Sequence, residues 1–206
     1  MTNVQVPHVS RETSDRLQHL HDLVIRWSTK INLVSRSSIS SIWKRHISDS
    51  LQFWPLAPPA AVWVDLGSGG GFPALPIACL SAEESPKTNF VLIESDKRKS
   101  VFLRTAIREL SLNARVENAR VEGVLPQDAD VVSARALADL NMLLNYVDRH
   151  IKPTGTSLLA KGETWKDEVA LAQTNWQFAY EVNKSKTNPG SVILGIKDVS
   201  RVSPRR

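Results

Sequence analysis

The 206-residue chain is 42% apolar and 23% charged, with 26 Lys and Arg against 21 Asp and Glu, a balance that suits one folded domain and excludes a disordered or low-complexity chain. Its single cysteine, Cys79, excludes an internal disulfide and a zinc cluster built from thiolates, so no metal is expected. The opening MTNVQVPHVS has neither the basic start nor the apolar stretch of a signal peptide, and no window approaches the roughly 20 apolar residues that span a bilayer, so the expectation is a cytoplasmic protein without a membrane partner.

From Ser10, the spacing of Leu17, Leu20, Val24, Trp27 and Ile31 predicts an amphipathic helix. Ile39, Ile42, Trp43, Ile47, Leu51 and Trp54 predict a second, ended by Pro55 and the pair Pro58 and Pro59. Residues 1–58 therefore read as a helical extension, and the period changes in residues 59–206. AVWVDLG (61–67) is a short apolar strand, and FPALPIACL begins a helix with Pro73 and Pro76 in its first turn. NFVLIES (89–95) is a strand, DKRKSVFLRTAIREL a helix, and ARVENAR (114–120) a third strand. DADVVSARAL leads into the helix ADLNMLLNYVDRHI, and TSLLAKG (156–162) into TWKDEVALAQ. WQFAYEVNKSK and SVILGIKDVS close the chain as two strands around TNPG. The alternation predicts an α/β fold, a mostly parallel, Rossmann-like sheet of seven strands with helices on both faces and a final antiparallel strand. Such sheets take ligands at the carboxyl ends of their strands, where VDLGSGGGFP (64–73) falls.

Charge is unevenly spread. Arg26, Lys30, Arg36, Lys44 and Arg45 occur between Leu23 and Ser48 with no acid among them, seven basic residues stand between Lys97 and Arg120 against two acids, and RVSPRR ends the chain. A basic face suits a polyanion through counterion release, and it also suits a plain solvated surface.

The loop reads Gly67-x-Gly69-x-Gly71, and Phe72 stands where a dinucleotide fingerprint needs its third glycine. Glu94 ends the second strand, where a carboxylate accepts from ribose hydroxyls. A nucleoside fits better than a diphosphate, although a dehydrogenase or a structural turn stays open on this pattern alone. Asp65 before the loop and the acid on the second strand resemble the class I S-adenosylmethionine-dependent methyltransferases. Absences then limit the acceptor. Cys79 sits inside an apolar helical run and reads as a small buried hydrophobe, not the nucleophile that pyrimidine C5 chemistry needs. The place that carries an Asn/Asp-Pro-Pro-aromatic motif in exocyclic amine methyltransferases holds SARAL (133–137). Guanine N7 presents an in-plane lone pair and asks only for positioning.

NLVSR (32–36), RHISDSL (45–51), VDLGSGGGFPALPIA, SARAL and LLAKGE (158–163) together resemble the RsmG (GidB) family, bacterial methyltransferases of small-subunit ribosomal RNA. The resemblance covers nearly the whole chain. It implies a helical extension on a class I methyltransferase sheet, S-adenosylmethionine as cofactor, and guanine N7 in the 530 loop (nucleotide 527) of 16S ribosomal RNA as acceptor, within the small subunit or its precursor. It places Asp65, Gly67, Gly69, Gly71 and Phe72 around the cofactor, Glu94 at its ribose, Val121 and Glu122 at its adenine, and Arg135 at the junction with the acceptor. Arg135, Lys161, Arg45, His46 and Asn32 are the candidates for acceptor positioning, with no catalytic residue assigned and a monomer expected. Plainer roles are open for several. His46 suits a satisfied core histidine, Asn32 a helix C-cap, Asp49 an i, i+4 pair with Arg45, and Lys161 a phosphate contact or a solvated strand end. Other acceptors, RNA, protein or small molecule, and an RNA-binding module without catalysis are the rival functions.

Overall fold

Successive strand residues point to opposite faces of a sheet, and in this chain both faces are apolar. Trp63, Phe90, Val131 and Leu158 enter one core, while their neighbours Val64, Val91, Val132 and Leu159 enter the other. A sheet buried on both sides needs two layers of helices. The computed structural model, which describes residues 9–202, has that arrangement; Arg205 and Arg206 of the basic tail lie outside the described residues.

The chain begins with helix α1 (Arg11–Ser28), capped by the Ser10 hydroxyl accepting from the Thr13 amide. A 3-10 segment (Arg36–Ser41), a π-helical turn (Trp43–Ser48) and the short α2 (Asp49–Leu51) follow. Strands and helices then alternate: β1 (Val62–Leu66), α3 (Ala74–Glu84), β2 (Asn89–Ile93), α4 (Lys97–Glu109), β3 (Ala114–Glu117), β4 (Ala129–Arg135), α5 (Leu140–His150), β5 (Ile151–Lys161), α6 (Trp165–Ala172), β6 (Trp176–Lys184) and β7 (Val192–Arg201). The sheet order is β3-β2-β1-β4-β5-β7-β6, with β7 antiparallel between β5 and β6 and the first five strands parallel. The chain reverses direction across the sheet between β1 and β4, and the glycine loop leaves β1 at that point. Helices α1, α3 and α4 contribute to the first core, α5 and α6 to the second.

The structure corrects three boundaries. The single helix expected over Ile39–Trp54 is broken, because serine hydroxyls compete for its carbonyls: Ser38 Oγ donates to the Ser35 carbonyl at 2.8 Å and Ser41 Oγ to that of Ser38 at 3.3 Å, which tightens the segment. Its wider π turn carries Lys44, Arg45 and His46. The third strand stops at Glu117, before Val121 enters a 3-10 turn (Val121–Gly123). The fifth strand begins at Ile151, directly after α5, five residues earlier than expected.

Gly71 shows why the loop must be bare. Its φ is +87°, and a Cβ there would lie 2.3 Å from Leu75 Cδ1 and 3.3 Å from Leu103 Cδ2. The loop can sit on α3 and α4 only without a side chain. Gly71→Ala is therefore expected to lower stability by about 1–3 kcal/mol, read as a fall in the denaturation midpoint; an unchanged midpoint would contradict this packing.

Candidate active site

Two cavities open at the carboxyl ends of the strands. One, of about 380 Å³, is lined by the glycine loop, Glu94, the Val121 turn and Leu33 and Val34 of the extension. The other, of about 740 Å³, lies between the π turn, the end of β5 and the β6–β7 turn. Both are of a size that takes small ligands. His46, Arg135 and Ala136 line both, so the two cavities meet at these residues.

Glu94 shapes the first cavity. It is 7% exposed, and its carboxylate accepts from the Gly69 amide at 2.8 Å and the Asp96 amide at 2.7 Å. The acid of β2 thus fastens the loop of β1, and φ at Gly69 is +54° to aim that amide. Each carboxylate oxygen keeps a further lone pair for a ligand hydroxyl. Gly67, Gly69, Phe72, Val121, Glu122 and Arg135 line this cavity.

Asp65 and Gly71 line neither cavity. Asp65 is buried; its Oδ1 accepts from Ser133 Oγ at 2.6 Å, which in turn accepts from Trp63 Nε1 at 2.9 Å. Its Oδ2 has no partner, and burial pushes the carboxyl up to about 6 against the pull of Ser133. The lone pairs that Glu94 keeps toward the first cavity suit a ligand that brings a pair of hydroxyls, as the ribose of S-adenosylmethionine does.

At the junction, the Arg135 guanidinium lies over the Phe72 ring, 5.3 Å from its centroid. It donates to Asp49 Oδ2 at 3.2 Å, to the Arg45 carbonyl at 3.2 Å and to His46 Nδ1 at 2.8 Å. A guanidinium has no lone pair to offer, so Nδ1 is the acceptor and the imidazole proton sits on Nε2, which is buried without a partner. Burial, with the Arg135 and Arg45 charges, lowers His46 to about 4. Asp49 belongs to this junction and not to Arg45: its Oδ1 accepts from Gln52 Nε2 at 3.1 Å, Ser185 Oγ at 3.3 Å and the Thr187 hydroxyl, binding the extension to the β6–β7 turn.

Of the other acceptor candidates, Arg45 is exposed on the rim of the second cavity, and Asn32 is exposed beyond both. Thr29, not Asn32, caps α1. Lys161 is not a solvated strand end. Its side chain is 7% exposed, ion-paired with Glu168 at 2.5 Å, and donates to the Ala138 carbonyl at 2.9 Å. Glu168 and the hydroxyls of Ser185 and Thr187 are not legible in the sequence, because their partners lie on other elements and no local spacing marks them.

The chain matches the model of the family described as rRNA small subunit methyltransferase G, GidB, over residues 13–191. It belongs to that family. It is 50% identical over 195 residues to the ribosomal RNA small subunit methyltransferase G of Ruegeria pomeroyi, covering 95% of this chain and 96% of the relative. The protein of the same name from Gluconobacter oxydans is 43% identical, with 94% and 98% covered. Among solved structures, the fold is similar to M. jannaschii TYW2 in complex with AdoMet (TM-score 0.58, 19% identity, 84% of this chain and 80% of that one). It is also similar to an Aquifex aeolicus SAM-dependent methyltransferase (TM-score 0.56, 14% identity, 79% and 93% covered). The chain is thus a methyltransferase, and its fold is that of the class I methyltransferases.

The two shifted groups oppose each other in pH. Between about 6.5 and 4, unfolding lets His46 take a proton that the fold refuses, so its contribution to stability is lost as pH falls. Between about 6 and 3.8, the fold keeps on Asp65 a proton that the unfolded chain releases, so that contribution is lost as pH rises. Asp65→Asn is therefore expected to make the melting temperature fall more steeply than wild type on acidification from pH 6 to 4.5; parallel curves would contradict the assignment.

Proposed function

We propose that the enzyme methylates N7 of a guanine in the 530 loop of 16S ribosomal RNA, nucleotide 527. The observation that carries this reading is the lack of a free base at the junction. His46 is neutral with Nδ1 occupied by Arg135, Asp49 is held by Arg135 and the turn hydroxyls, and Glu168 by Lys161. Cys79 is buried in α3 with its thiol pushed up to about 12, so no thiolate serves a pyrimidine. An acceptor here must bring its own lone pair, and guanine N7 has one. S-adenosylmethionine, when bound, supplies an electrophilic methyl carried on a sulfonium.

The residues then divide the work. Glu94 and the loop amides fix the ribose end in the first cavity, and the Val121 turn faces the adenine. Phe72 and Arg135 form the wall through which the cavities communicate, and the flipped base enters the second. Lys44 and Arg45 on its rim take the flanking phosphates. The extension (residues 1–58) and the methyltransferase part (59–206) both contribute to each cavity, so the two are read as one compact unit. The names of relatives that match almost end to end support the ribosomal acceptor, and with it a cytoplasmic place of work on the small subunit or its precursor; no described helix is long and apolar enough to cross a membrane.

Incubation with labelled S-adenosylmethionine and small subunits lacking the modification, followed by nucleoside analysis, is expected to give label in 7-methylguanosine mapping to the 530 loop. Label in another nucleoside would overturn the acceptor. Glu94→Ala is expected to raise the cofactor Kd by about tenfold or more, since two charge-assisted contacts are lost; unchanged affinity on calorimetry would remove Glu94 from the ribose site.

A further inference from the structure

The loop between β4 and α5 is the partition between the two cavities, and its backbone is strained. Ala136 has φ +54°, a left-handed conformation that a side chain disfavours. Ala136 lines both cavities. Beyond it the chain sets Leu137 against the glycine loop, so closely that a Cβ on Gly67 would lie 2.5 Å from Leu137 Cδ1. A strained loop keeps its shape only where neighbours over-determine it.

Two side chains from elsewhere provide that hold. Lys161 Nζ, from the end of β5, donates to the Ala138 carbonyl at 2.9 Å. Glu168, from α6, accepts from the Leu140 amide at 2.9 Å through Oε2, the oxygen that also pairs with Lys161 at 2.5 Å. Its Oε1 accepts from Thr164 Oγ1 at 3.2 Å. Lys161 and Glu168 therefore bracket the loop two residues apart, and each satisfies the other's charge. A lysine whose side chain is 7% exposed and whose charge is already paired has little to offer a phosphate.

We propose that Lys161 and Glu168 are positioning residues, acting as one unit through the loop Ala136–Ala138 to hold Leu137 against the cofactor and Arg135 at the junction, and that Lys161 does not contact the RNA. This rests on the assignment of the first cavity to S-adenosylmethionine. The pair sets how tightly the cofactor is held and leaves the count of phosphate contacts untouched.

The test uses the full chain with Lys161→Met, Glu168→Gln, Leu137→Ala and the Lys161→Met/Leu137→Ala double variant. S-adenosylmethionine affinity is measured by calorimetry, and the salt dependence of binding to 16S RNA by filter retention. Each single variant is expected to raise the cofactor Kd by about fivefold or more, and the double variant no further than the worse single, because the effect passes through Leu137. The salt slope stays at the wild-type value in all of them. A lysine on a phosphate would instead lower the slope by about one in Lys161→Met, and Glu168→Gln would free it to bind RNA more tightly. Either of those results, unchanged cofactor affinity in both pair variants, or additive losses in the double variant would overturn the inference. Should Lys161→Met fail to fold, Glu168→Gln decides alone, since the two accounts predict opposite outcomes for it. Glu94→Ala serves as the control: if it too leaves cofactor affinity unchanged, the cavity assignment itself has failed and not only this inference.

Discussion

The site depends on one partly buried cation. Arg135 leaves the end of β4 with its side chain 18% exposed and meets Asp49, 19% exposed, from the extension. Each charge gives up part of its hydration for the other, and removing one partner would leave the other poorly solvated, at a cost below the ~3–5 kcal/mol of a fully buried pair. The contact therefore does two things together. It fastens the N-terminal helices to the sheet, and it fixes the wall between the two cavities. His46 and the Arg45 carbonyl complete the guanidinium's partners, and Phe72 offers it a ring face. The π turn that carries Arg45 and His46, the glycine loop that carries Phe72 and the β6–β7 turn held through Asp49 are all positioned by reference to Arg135.

That arrangement explains how the chemistry can proceed with so little acid–base equipment. The carboxylates and the imidazole named at the junction each hold another group: His46 and Asp49 hold Arg135, Glu168 holds Lys161, and Glu94 holds the Gly69 and Asp96 amides. Each of these acceptors is already engaged, which suits a reaction that needs no proton removed. One that requires only alignment finds a rigid frame, and positioning by itself accounts for large rate factors when the reacting atoms are held in line.

Much of this was legible in the sequence, for local reasons. The glycine loop and Glu94 announce themselves because one strand and one turn define each, and the apolar runs of β1 and β2 mark strands that turn out to be buried on both faces. What failed to show was what depends on contacts between distant segments. The stripe from Ile39 to Trp54 has helical spacing, yet serine hydroxyls bonding back to carbonyls break the helix where the junction residues lie. Lys161 looks like a strand-end lysine until Glu168, from the following helix, removes its charge from solvent. Asp49 looks like a partner for Arg45 at helical spacing until the fold brings Arg135 and the β6–β7 turn to it. Asp65 is recognisable as the acid before the loop, but only the structure gives its partner, Ser133 on the neighbouring strand.

The claim on which the account turns is that the two cavities are the cofactor and acceptor halves of one site, joined at Arg135. The most direct test is a cryo-electron microscopy structure of the enzyme with S-adenosylhomocysteine on a small subunit lacking the modification. The account predicts the adenosine against Glu94 and the Val121 turn, with a guanine unstacked into the cavity between Arg45 and Thr187 and its N7 turned past Arg135 toward the sulfur. A guanine reaching the sulfur from any other side, with the larger cavity filled only by solvent, would contradict it.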